Sequence, residues 1–295
     1  MVRIEGQTVK RILAATDFSV RSDRALRRAV LLAKRSAASI TLVHVVDDDR
    51  PKRIVRAAHD AASKLLNEQV RSLRHTDGID CNAIVILGDP FEGIAKAAGQ
   101  IAPDMLVLGP HRRQALKDVF VGTTAERTIR AARHPVLMAN GVPAGFYRHI
   151  LIAVDFSECS RRAIQAVRDL GFHRQAAVSI IHVYDTPASS AVARALPVDD
   201  QIRDYLHDEK KQAAETLAAF LNDLEFSPDR QIVKFSETSV SDATCSAARE
   251  VSADLITVGT HGRTGLPQIM LGSVAERVLR SADRDVLAVP PSAHP

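Results

Sequence analysis

The stretch "GTHGRTGLPQIMLGSVAERVL", residues 259–279, spaces three glycines, Gly259, Gly262 and Gly272, ahead of Ser273 and a helical pattern. Glycine admits positive φ and lets another group come close to the backbone. A helix N-terminus adds unbonded N–H groups and partial positive charge. Together they form an anion site suited to phosphate. The loop has neither the Gly-Lys-Ser/Thr of a P-loop nor the spacing of the dinucleotide fingerprint. A second reading stands beside the first: Ser273-Val274-Ala275-Glu276 is a capping box, in which Ser273 serves its own helix. Upstream, Asp155 ends the apolar run of "ILIAVDFS". Its carboxylate can accept from a ribose or a base edge; equally, it or Ser157 can cap the helix that follows.

These residues occur twice. Residues 10–47 align without a gap on 148–185, with 14 of 38 positions identical, and 104–137 align on 254–287, with 13 of 34. Asp17 and Ser19 thereby match Asp155 and Ser157, Val45 matches Val183, and Gly109, Gly122 and Thr123 match Gly259, Gly272 and Ser273. The repeat is domain-sized, so the chain is a duplicated domain and not a solenoid. Two domains are expected, 1–141 and 146–295, joined near "NGVPAGFYRH", whose Gly/Pro content is that of a linker.

Each copy alternates short apolar runs with helical patterns. In copy one "RILAAT", "SITLVHV", "NAIVIL", "DMLVLG" and "PVLMA" read as strands; in copy two "HILIAV", "VSIIHV", "RQIVKF", "DLITVG" and "DVLAV" do. Amphipathic stretches such as "RIVRAAHDAASKLLNEQVRSL" lie between them. Such βα alternation predicts an α/β fold with a parallel sheet covered on both faces. Ligands of these sheets bind beyond the carboxyl ends of the strands, at the switch point. Val183 and Val45 end their strands there, and their backbone either meets a base edge or is plain core. His182 and His44, inside the same strands, read as satisfied interior or half-buried histidines.

Composition limits the function classes. With 46% hydrophobic and 25% charged residues among 295, the chain can bury a core without staples. Its 39 basic and 35 acidic residues leave a net charge of +4, too balanced to call for nucleic acid. Aromatics are 4% with no Trp, so platforms for stacking bases are scarce. Three cysteines, Cys81, Cys159 and Cys245, stand in no metal-like spacing and suit a reducing cytoplasm. No segment reads as a signal peptide or a membrane span.

The G-x2-G-x9-G-S arrangement after "LITV", the strand "ILIAVDFS" and the strand ending in "HV" resemble the ATP-binding motif of the universal stress protein family. The resemblance spans nearly the whole chain, twice. It implies two tandem doubly wound domains, each with a five-stranded parallel sheet of order 3-2-1-4-5. It also implies an adenine nucleotide, ATP with or without Mg2+, at the strand ends. Carried over, Asp155 would hold the ribose, Ala153 and Val154 would line the adenine, and the Val183 backbone would meet it. Gly259, His261, Gly262, Gly272, Ser273 and Val274 would surround the phosphates, with Arg263 either adding charge or standing solvated. Copy one keeps Asp17, Val45, Gly109, Gly122 and Thr123 as a degenerate second site, but Arg112 replaces the middle glycine and Ala115 stands where copy two has Gly265. Copy two lacks the Gly88-Asp89-Pro90 of copy one and has Thr238-Ser239-Val240, a change expected to be remote from the phosphates.

No nucleophile, base pair or metal cluster accompanies the loop. The leading expectation is an ATP-binding regulator of the stress response whose nucleotide state controls a protein partner. A slow ATPase or phosphotransferase and a nucleotide-free scaffold are the alternatives. The resemblance also implies that the two copies pair through their last strands as an intramolecular pseudo-dimer, with or without further homodimerisation. Residues 185–202, rich in Ala, Ser and Pro, are expected to form a loop or lid near the nucleotide.

Overall fold

The computed structural model describes residues 9–110, 123–174, 176–184, 200–236, 239–262 and 271–291. The expected lid, 185–202, therefore lies outside the described residues up to its last three, which begin a helix.

In copy one the order is β1 (Arg11–Ala15), α1 (Val20–Ser36), β2 (Ser39–Val46), α2 (Lys52–Ser72), β3 (Cys81–Leu87), α3 (Pro90–Ile101), β4 (Met105–Leu108), α4 (Thr124–Ala131) and β5 (Val136–Met138). Copy two gives β6 (His149–Val154), α5 (Glu158–Asp169), β7 (Ala177–Tyr184), α6 (Asp200–Asp223), β8 (Arg230–Phe235), α7 (Val240–Glu250), β9 (Leu255–Gly259), α8 (Ser273–Ser281) and β10 (Asp285–Val289). Side chains sort by strand period: Ile12 and Ala14 join one core with α1, α2, α5 and α6, while Leu13 joins the other with α3, α4, α7 and α8. Every residue of β4, β5 and β10 is buried, as an apolar run covered on both faces must be. Local signals fix the helix starts. Ser19 and Ser157 cap α1 and α5 by accepting from the N–H groups of Ser22 and Ser160. Asp89 caps α3, with Pro90 at its first position.

All ten strands form one sheet, ordered β3-β2-β1-β4-β5-β10-β9-β6-β7-β8. Each half is parallel with the expected 3-2-1-4-5 order. The halves meet where β5 pairs antiparallel with β10, Met138 opposite Val286 and Val136 opposite Ala288. Two strand edges that would otherwise be open are thus paired.

The linker is pinned to this seam by one buried ion pair. Arg28 of α1 meets Asp285 of β10, Nε to Oδ2, at 2.6 Å, both side chains being almost fully buried. The Tyr147 hydroxyl donates to Asp285 Oδ2 at 2.6 Å and the Gly141 N–H to Oδ1 at 2.8 Å. Arg28 also donates to the Gly145 carbonyl and lies over the Tyr147 ring. Burial pushes the Asp285 carboxyl above its ordinary value, while Arg28, Tyr147 and Gly141 pull it back. The matching positions are Ala166 and Pro135, so the clasp exists once and breaks the two-fold symmetry.

Removing one charge of a buried pair costs more than removing both, because the survivor is left without a partner. Asp285→Ala or Arg28→Ala is expected to lower stability by about 3–5 kcal/mol. The paired replacement Arg28→Met/Asp285→Leu should recover most of it. Guanidinium unfolding of the three variants measures this, and equal losses in single and paired variants would refute the clasp.

Candidate functional site

At the carboxyl end of β6 the backbone makes a sharp junction into α5. Asp155 Oδ1 accepts from the Ser157 hydroxyl at 2.5 Å, the Ser160 hydroxyl at 2.6 Å and the Ser157 N–H at 3.1 Å. The Asp155 N–H donates to Ser160 Oγ at 2.9 Å. The next residue, Phe156, sits at φ 66°, and its equivalent Phe18 at φ 60°. A bulky side chain in that region carries about 1–3 kcal/mol of strain. Packing holds it in place: the Phe156 ring lies 4.2 Å from the His182 ring and 5.3 Å from Phe220, and Phe18 lies 4.5 Å from His44. Each histidine is oriented by a bond from Nδ1 to a strand-end carbonyl, Val154 O at 2.9 Å and Thr16 O at 2.8 Å. An accepting carbonyl requires the proton on Nδ1. The reading of both histidines as satisfied interior groups holds. Their part in steadying a strained phenylalanine beside the carboxylate is not visible from sequence pattern alone.

Of the two needs that glycine can meet, positive φ and close approach, these glycines meet the second. None of Gly259, Gly262 and Gly272 has positive φ. Each instead leaves room for a neighbour. A Cβ on Gly259 would stand 2.8 Å from the Cβ of Cys159, so glycine lets β9 end against the first turn of α5. Gly109 does the same against Arg21 and Ser22 of α1. On Gly262 a Cβ would lie 2.8 Å from Asp155 Oδ2, and on Gly272 it would lie 3.2 Å from the Thr260 carbonyl. That carbonyl accepts from the Gly272 N–H at 2.8 Å, closing the base of the loop. What stands against a side chain at position 262 is therefore steric and electrostatic, the nearness of the Asp155 carboxylate.

Ten of the expected residues, Ala153, Val154, Asp155, Val183, Gly259, His261, Gly262, Gly272, Ser273 and Val274, wall one cavity of about 560 Å³. Arg263 lies outside the described residues. Ile181, Val258 and Leu271 make one side apolar, and Val240 and Thr244 of α7 join the wall. Val240, the last residue of the Thr238-Ser239-Val240 change, thus lines the cavity. His261 bonds the Thr260 hydroxyl through Nδ1 at 2.9 Å, while its Nε2 is buried with no hydrogen-bond partner among the described residues. Among those residues, no three His, Cys, Asp or Glu side chains gather as a metal set.

The capping box resolves differently in the two copies. Thr123 caps α4, accepting from the Glu126 N–H at 3.1 Å. In copy two Gly272 occupies the cap position, has no side chain to cap with, and Ser273 is already the first helical residue. The N-terminus of α8 therefore faces the cavity without a side-chain cap. Copy one encloses about 470 Å³, walled by Asp17, Val45, Gly109 and Thr123 with Arg21 added; Gly122, Arg112 and Ala115 lie outside the described residues. Arg21 stands 3.7 Å from Asp17, where copy two has Cys159. Burial pushes the Asp17 carboxyl up, but bonds from Ser19 and Ser22 and the Arg21 charge outweigh it and hold it below the ordinary 3.8.

Fold and site together define a class: a duplicated doubly wound α/β protein with a ligand-sized cavity at each switch point. Comparison with known proteins supplies the family. The model of the universal stress protein family matches residues 8–140 and again 146–290. A universal stress protein of Mycolicibacterium smegmatis is 26% identical over 306 residues, covering 98% of this chain and 99% of its own. Universal stress protein A homolog 2 of Coxiella burnetii is 33% identical over 144 residues, 48% of this chain and 94% of its own. A universal stress protein of known structure from Archaeoglobus fulgidus superposes with a TM-score of 0.67 at 20% identity, covering 95% of this chain and 98% of its own. The chain belongs to the universal stress protein family, in tandem form.

Two measurements check the geometry. Gly259→Ala should lower stability by about 1–3 kcal/mol through overpacking on Cys159. Gly99→Ala in α3, where a Cβ meets nothing within 4 Å, should instead raise it by about 0.5–1 kcal/mol. By carboxyl NMR, Asp17 should titrate below 3.8. Its contribution to stability is then present above its unfolded value and lost as pH falls through the folded one.

Proposed function

We propose that the second domain binds an adenine nucleotide, ATP with or without Mg2+, and that the chain is a regulator in the stress response whose nucleotide state is read by a protein partner. One observation carries the reading. A strand-end carboxylate, an apolar slot, and a His261 Nε2 and a helix start that have no side-chain partner among the described residues wall the same cavity at the switch point. In this reading Asp155, held by Ser157 and Ser160, accepts from ribose hydroxyls. The slot formed by Ala153, Val154 and the Val183 backbone takes the adenine. Gly259, His261, Gly262, Gly272, Ser273 and Val274 surround the phosphates, with Arg263 beside them, and the N-terminus of α8 supplies N–H groups and partial positive charge. Bound Mg2+ would neutralise phosphate charge.

The two domains, taken as 1–141 and 146–295, are proposed to differ in affinity. In copy one Arg21 competes for Asp17, and Thr123 already satisfies the helix N–H that a phosphate would need. Arg112 stands where copy two has glycine. A regulator is favoured over an ATPase because, among the described residues, the cavity wall holds no lysine and no three His, Cys, Asp or Glu side chains gather to hold a metal. Three unpaired, buried thiols support a reducing, cytoplasmic setting.

Titration calorimetry with ATP should show one strong site and a second weaker by one to two decades, about 1.4 kcal/mol per decade. Gly262→Arg should abolish the strong site by occupying the phosphate path and pairing with Asp155. Arg112→Gly should strengthen the weak one. Mass spectrometry of protein purified without additions should find an adenine nucleotide. Equal sites, or an unchanged Gly262→Arg protein, would overturn the reading.

A further inference from the structure

The antiparallel seam turns the two halves in opposite directions. The last turn of α4, beside the start of β5, therefore lies beside the end of β10, where copy two's cavity opens. Arg130, in that last turn, lines the cavity of the other copy. Among the described residues of that wall it is the one arginine or lysine, set against Asp155 and Glu276. Its guanidinium pairs along the helix with Glu126, a side chain almost fully buried. Its Nε is buried with no hydrogen-bond partner among the described residues. An arginine cannot shed that proton, so a buried Nε–H without an acceptor carries an unmet demand. The counterpart in copy two, Arg280, is exposed and does not line copy one's cavity.

We propose that Arg130 of the first domain donates to a phosphate of the nucleotide held by the second, so that the site is completed across the seam. This rests on the nucleotide reading above. Phosphate oxygens are the acceptors that best match a guanidinium. The contact gives the first domain a role in binding that does not depend on its own cavity. It also ties occupancy of the second domain to the integrity of the β5–β10 pairing.

The test is a ligand series, adenosine, AMP, ADP and ATP, titrated calorimetrically into the full chain. Arg130→Gln is compared with Arg280→Gln and with Glu126→Gln/Arg130→Gln, which removes both charges of the helical pair and keeps Glu126 from being stranded. Expected is a loss of about tenfold or more in ATP affinity for both Arg130 variants. Adenosine affinity should be unchanged, Arg280→Gln should behave as wild type, and Arg130→Lys should recover part of the loss. Equal losses for adenosine and ATP would make Arg130 structural and overturn the contact, as would wild-type affinity in the double variant. A wild-type chain that binds none of the four ligands overturns the nucleotide reading itself, and the contact with it.

Discussion

The structure depends on the antiparallel pairing of β5 with β10. Three residue pairs join two parallel half-sheets into one of ten strands, and the helices of both copies then cover continuous faces. Without the pairing each half would present a short, almost wholly apolar edge to water, because β5 has no polar residue and β10 has only Asp285, at its start. The seam also sets functional geometry. It sends the two cavities to opposite edges of the sheet and brings the tail of α4 to the wall of copy two's cavity.

The site itself is a packing solution before it is a binding one. Gly259 and Gly109 let a strand end run onto the first turn of a helix, and the same junction places Asp155 and Asp17 at the cavity wall. The strained phenylalanine that follows each aspartate is held by a histidine from the neighbouring strand, itself fixed by a carbonyl. A carboxylate so placed has little freedom to reorient. A ligand of this cavity would meet positions already determined by the core.

The strands were legible because duplication gave two independent readings of one βα pattern, and because buried parallel strands announce themselves as apolar runs; their order, 3-2-1-4-5, was legible only through the family resemblance. The cavity residues were legible through the family motif, and ten of the eleven expected in copy two share one wall. What the glycines do was not legible. The residue type signals missing bulk, and whether that serves positive φ or a close neighbour depends on what packs there. Of the two readings of Ser273, the capping one is not realised, because Gly272 takes the cap position and Ser273 begins the helix. Arg21 against Cys159 is plain in the alignment of the copies, yet its meaning required knowing that α1 turns that residue toward Asp17. Arg130 could be found only once the direction of the seam was known, since nothing near it in sequence belongs to the second cavity.

The single clasp has a consequence for how such a molecule can vary. If the two halves were separate chains, copies alike and unlike would assort, and a weakened half would often pair with another of its kind. Joined covalently, with Arg28 and Asp285 drawn from different halves and without counterparts in the reverse arrangement, each molecule holds one of each. The tether raises the local concentration of the correct mate above that of any competitor. Stoichiometry is thus written into the gene, and the first half is at liberty to change its own pocket while the seam and the clasp keep it beside the second.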